Sequence, residues 1–268
     1  MDSLTWTRLT DPPAWPAGGD GNALRIVTHL DGTPVARHSV DSIAYIPDPV
    51  DRLFVAGGYV DSPGGLLQDH QTYTFDLDTL RWTPGVEVTA IGIGAHGAVA
   101  PDGRYWAHGS GPAPFNILSV VDVAAQTSSD HVAAVGFYLY EATSAIDEAR
   151  NLLVAVGNNE TRTWNLASPD DASVVVPTSG DTAMEGARNP GLIYRADLDR
   201  FVAWSGGKDV FTLDPATSVW TRIVGTGTAD PGAPQARGTY GRFAYVQSLD
   251  AFVVVSSADS NVFVYRLP

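Results

Sequence analysis

The chain has 268 residues, a formal net charge of -14, 44% hydrophobic residues, 27 glycines, 18 prolines and no cysteine. Its acidity opposes nucleic acid and anionic membranes as partners, since both need a basic footprint to release counterions or to meet a negative surface potential. The missing cysteine removes disulfides, thiolate nucleophiles and Cys-ligated zinc, and no apolar run approaches the ~20 residues that span a bilayer.

The first predicted element is the strand TWTRL, 5 to 9. A strand beginning near Leu4 leaves no room for a signal peptide, which fits a cytoplasmic chain or a secreted one whose leader has been removed. After a long connection over 10 to 36, short strands bounded by Gly, Asp, Pro and Asn take over. The first group spans 38 to 46, 52 to 58, 71 to 77 and 81 to 86, and the second 96 to 100, 104 to 109, 118 to 123 and 126 to 133. The third spans 141 to 146, 152 to 157, 161 to 166 and 173 to 177, and the fourth 191 to 196, 201 to 206, 209 to 214 and 219 to 224. The last has three strands, 241 to 247, 251 to 257 and 261 to 267.

The second strand of each group ends on a small residue: Gly57, Gly109, Gly157, Gly206 and Ser257, spaced 52, 48, 49 and 51 residues apart. A period near fifty built of four short strands describes a propeller blade, which cannot bury both faces of its sheet alone and must stack on neighbours. The expectation is an all-β, five-bladed β-propeller, one domain over 1 to 268. TWTRL matches the outer strands VWTRI (219 to 223) and RWTPG (81 to 85). Pairing it onto the last blade closes the ring and removes an open edge.

The paired glycines Gly57-Gly58 and Gly206-Gly207, with Trp82 and Trp220 on the outer strands, resemble the kelch and galactose-oxidase-like propellers. Three blades depart from the pattern, with His108-Gly109-Ser110, Gly157-Asn158 and Ser256-Ser257. The resemblance implies a fold only, because its members include oxidases, lyases, specifier-type proteins and protein-binding adaptors. Copper-radical oxidation needs a cysteine crosslinked to tyrosine, and none is present.

In such blades the starts of first and third strands share one face with the ends of second strands. All six histidines map to this upper face, and the opposite turns carry Asp51, Asp102, Asp147, Asp199 and Asp250. Long upper loops collect polar residues in any case, and Asp is a common turn former. More informative are the residues where first strands begin, at the channel mouth: Arg37, His38, His96, Tyr140, Glu141, Arg188, Asn189, Tyr240 and Arg242. Charged residues at such strand ends also serve to bond neighbouring loops.

Two chemistries suit this set. His38 and His96, at equivalent positions of adjacent blades, could hold a divalent metal ion with Glu141, His70 or His108 completing the ligands, although no tight ligand spacing supports it. Alternatively Arg188 or Arg242 pairs with a substrate carboxylate, His38 or His96 removes the adjacent proton, and Tyr140 or Tyr240 protonates the leaving oxygen. That set is similar in residue types to the His/Tyr/Arg sites of propeller-fold polysaccharide lyases, without a linear motif. The third possibility is a non-catalytic module that binds a small molecule, a glycan or a protein through its upper loops. Trp106, Trp164 and Trp204 read as inter-blade core. GIGAHG (92 to 97) is no phosphate loop, because neither a helix nor a GK[ST] ending follows it.

Overall fold

The computed structural model describes residues 8–11, 28–29, 31–62, 65–88, 91, 95–109, 117–132, 141–257 and 259–268. Its strands form five small sheets, the blades of a five-bladed β-propeller. Blade one holds β1 (Arg37–His38), β2 (Ile43–Ile46), β3 (Arg52–Ser62), β4 (Gly65–Asp76) and β5 (Arg81–Glu87). Blade two holds β6 (His96–Val99), β7 (Tyr105–His108), β8 (Ile117–Asp122) and β9 (Thr127–Val132). Blade three holds β10 (Ala142–Asp147), β11 (Leu152–Gly157), β12 (Glu160–Asn165) and β13 (Val174–Val176). β14 (Ser179–Gly180) belongs to blade four with β15 (Gly191–Arg195), β16 (Arg200–Trp204), β17 (Val210–Asp214) and β18 (Val219–Ile223). Among the described residues blade five has three strands, β19 (Phe243–Val246), β20 (Ala251–Val255) and β21 (Val262–Tyr265). The predicted closing strand lies largely outside the described residues.

Apart from β1, which pairs β3, and β14, which pairs β18 in parallel, consecutive strands of a blade pair antiparallel, and β2, β6, β10, β15 and β19 touch in that order around the axis. Because side chains alternate between the two faces of a strand, blades stacked on both sides bury almost every position. β11 is buried at Leu153 through Gly157 for this reason. Four apolar clusters fill the gaps between successive blades: Phe54 with Tyr105, Trp106 with Trp164, Val156 with Phe201, and Trp204 with Phe252. The three tryptophans read as core are 2 to 3% exposed.

Several boundaries differ from expectation. The first strand of blade one breaks in two at Val40, whose φ of 54° is outside the extended region, so β1 and β2 pair separate stretches of β3. The β3–β4 hairpin runs well past the predicted 52 to 58 and 71 to 77, through a register shift between Ala56 and Gly58. Tyr240–Arg242, expected at or beside a strand start, form a 3-10 turn that Tyr240 enters at φ 50°.

The acidic lower turns form ordered structure. Asp51, Asp199 and Asp250 have φ of 51°, 48° and 43° just before a second strand. Aspartate tolerates that left-handed conformation better than most residues. The hydroxyls of Tyr45, Tyr194 and Tyr245 donate to these same three carboxylates. Arg195 of blade four reaches Asp250 of blade five at 3.3 Å and stacks on Tyr245 at 3.8 Å.

Candidate functional site

The glycines that mark the blade period also place the residues at the channel mouth. A Cβ on Gly58 would lie 2.7 Å from the His38 carbonyl oxygen, and one on Gly157 would lie 2.2 Å from that of Glu141. Both residues have positive φ, 120° and 137°. Each therefore needs glycine twice over, for conformation and for the backbone pressed against it. The chain entering a blade is held against the end of that blade's second strand.

Between blades one and five the mouth opens into a cavity of about 410 Å³, lined among others by His38, Asp41, Arg188, Arg237, Tyr240 and Arg242. A loop from blade four's outer strand forms one wall. Asn189 ties it down: its Nδ2 donates to the Arg237 carbonyl at 2.7 Å, and its own carbonyl accepts from the Thr239 and Tyr240 amides at 2.7 and 3.1 Å. The Arg188 guanidinium donates to the Ala236 carbonyl at 3.2 Å and pairs with Glu141 at 2.8 Å. Arg242 donates to the Gly238 carbonyl.

Ten arginines of the described residues form ion pairs with aspartate or glutamate. Among the described residues Arg237 and Arg242 form none, nor do Arg81 and Arg266, which line no part of this cavity. A guanidinium fork matches a carboxylate's two oxygens, so the cavity presents two such forks that no carboxylate of the described residues occupies.

Four predicted site residues, His38, Arg188, Tyr240 and Arg242, thus meet in one cavity, and Glu141 joins them through Arg188. Tyr140 lies outside the described residues. His96 departs from the expectation: it is 0% exposed, its Nδ1 hydrogen-bonds Ser144 Oγ, and its ring lies 5.9 Å from Trp164 in the interface of blades two and three. As the first residue of β6 it could face either the mouth or the neighbouring blade, and the blade takes it. His108 is buried beside it, 4.8 Å from the same tryptophan. Burial pushes both imidazoles toward the neutral form, His108 down to about 4, and a neighbouring cationic group acts in the same direction on each, the His108 imidazole on His96 and the Arg162 guanidinium on His108. The set His38, His96 and Glu141 is therefore not assembled, and among the described residues no three metal-ligating side chains converge. His70 instead bonds the Val88 carbonyl and His131 bonds Asp170.

Sequence reasoning missed Asp41 and Arg237. Asp41 is 8% exposed and accepts from the Ser144 amide of blade three at 3.2 Å and from the Gly97 amide of blade two. Burial raises its pKa well above the usual carboxylate range, against those two hydrogen bonds. The signal was a carboxylate inside HSVDSIAYI, a stretch expected to face the channel. Arg237 sits in a loop, where periodicity is silent. No protein-family model matches the chain, and no curated protein sequence matches it.

Proposed function

We propose that this propeller, a divergent kelch-like one, binds a carboxylate-bearing sugar or small molecule in the cavity between blades one and five. The observation that carries the reading is the pair Arg237 and Arg242, which line the cavity without an acidic partner among the described residues, where ten other arginines are paired. His38 and Tyr240 line the same cavity and supply hydrogen bonds to hydroxyl groups beside the carboxylate. A volume of about 410 Å³ suits a ligand of one or two sugar units. Calorimetric titration with galacturonate and with galactose tests it. Binding of the acid alone, weakened about tenfold in Arg242→Gln, is the expected result; equal binding of both sugars, or of neither, refutes it.

A second reading, a lyase, is favoured by an imidazole, a phenol and guanidinia sharing one cavity. His38 would take the proton beside the carboxylate and Tyr240 would protonate the leaving oxygen, with the carbon–oxygen bond breaking to leave a double bond in the product. Appearance of ultraviolet absorbance from an unsaturated uronate, lost in His38→Ala and Tyr240→Phe with binding retained, would establish catalysis. The same binding with no such absorbance leaves a non-catalytic module.

A further inference from the structure

Three successive backbone carbonyls in the cavity wall are taken by three different side chains. Arg188 takes Ala236, Asn189 takes Arg237 and Arg242 takes Gly238. Two residues of chain span at most about 7 Å, so the guanidinia of Arg188 and Arg242 are anchored to points no further apart than that. Arg237 lies between Ala236 and Gly238 in the chain and lines the same cavity. The wall thus carries three guanidinium side chains on a short row, and they differ in one respect. Arg188 already holds a carboxylate, that of Glu141 at 2.8 Å, whereas Arg237 and Arg242 hold none among the described residues.

Resting on the carboxylate-binding reading above, we propose that Glu141 is an internal competitor at Arg188, and that the site selects a short dicarboxylate. One carboxylate of the ligand pairs with Arg237 and Arg242. The other displaces Glu141 from Arg188. The Arg188–Glu141 pair is suited to exchange, because both side chains are well exposed, 45% and 39%, and exposed ion pairs are held weakly. Its location is fixed nonetheless: Gly157 packs against the Glu141 carbonyl, and the Asn189 amide donates to that carbonyl at 3.2 Å. A monocarboxylate satisfies the two unpaired arginines and leaves Glu141 in place. A dicarboxylate of about five carbons reaches both ends of the row, and its gain over a monocarboxylate is reduced by the competition. Glu141 therefore sets specificity without touching the ligand.

Calorimetric titration of the full chain with glutarate and with acetate tests this. Glu141→Gln is expected to bind glutarate at least threefold more tightly than the wild type, and Glu141→Asp, which keeps the charge but shortens the arm, also gains affinity. Arg188→Gln is expected to bind glutarate no better than acetate. Unchanged or weaker glutarate binding in both Glu141 variants overturns the competitor role. If that happens while Arg237→Gln and Arg242→Gln still weaken binding, the carboxylate site survives and only its internal competitor is lost. If no carboxylate binds the wild type, or those two variants bind as it does, both readings fall together.

Discussion

The rings of His96 and His108 lie 5.2 Å apart between blades two and three, both buried, and His96 Nε2 and His108 Nδ1 have no hydrogen-bond partner among the described residues. Neither ring can gain a proton there without bringing charge into an apolar interface. Their folded pKa values lie below the unfolded value near 6.5, so the stability they contribute is present above that pH and is lost as pH falls, for His108 through about 4. Asp41, with its raised pKa, acts in the opposite sense, losing stability as pH rises above the ordinary carboxylate range. A variant comparison separates the two. His108→Leu is expected to reduce the slope of unfolding free energy against pH between 4 and 6.5 by about 1 kcal/mol per pH unit, read from urea midpoints. An unchanged slope would show that His108 is not buried as described.

Asp41 tests whether a neutral carboxyl suffices at the meeting point of three blades. Asparagine keeps an oxygen for the Ser144 and Gly97 amides, so Asp41→Asn is expected to cost less than about 1 kcal/mol at pH 7. Asp41→Ala leaves two buried donors unpaired and costs about 2 kcal/mol. Chemical denaturation of both variants decides it, and equal losses would mean that the charge, not the hydrogen bonds, matters.

On the lower face, Arg150 of blade three forms two parallel hydrogen bonds with Asp199 of blade four, at 2.8 and 2.9 Å, while pairing at 3.0 Å with Asp147, which is 0% exposed. Arg150→Met removes the cation from a buried carboxylate and is expected to lower stability by about 2 kcal/mol, reduced from the value for a fully buried pair because the arginine is partly exposed. Raising the salt concentration to 1 M should leave most of the difference in place; its disappearance would mark the pair as a surface contact only.

Gly157→Ala puts a methyl group where the Glu141 carbonyl already stands, at a φ of 137° that alanine avoids. The expected loss is at least about 2 kcal/mol, because the Glu141 backbone must shift. A melting curve superimposable on the wild type would refute the close packing at this position.

The blades were legible because glycine is imposed by the backbone. Gly57 and Gly157, two of the residues that mark the blade period, both have positive φ and are pressed against backbone carbonyls, those of Asp69 and Glu141. His38, Arg188, Tyr240 and Arg242 could be placed together because strand starts share a face whatever their side chains do. The same logic failed for His96, since a strand's end residue can turn toward the channel or toward the next blade, and only the packing around Trp164 decides. Asp41 was hidden for a related reason. Its role depends on amides of blades two and three, far away in sequence. The break at Val40 carries no compositional mark, whereas the bulge beside Gly58 falls on the glycine pair.

Among the described residues, apolar clusters join blade one to two, two to three, three to four and four to five, and none joins five back to one. The arginine-lined cavity lies where the first and last of these blades meet. A ligand seated between His38 of the first blade and Arg242 of the last then works as a clasp, and its occupancy is felt most by those two blades, whose amide exchange should slow when it binds.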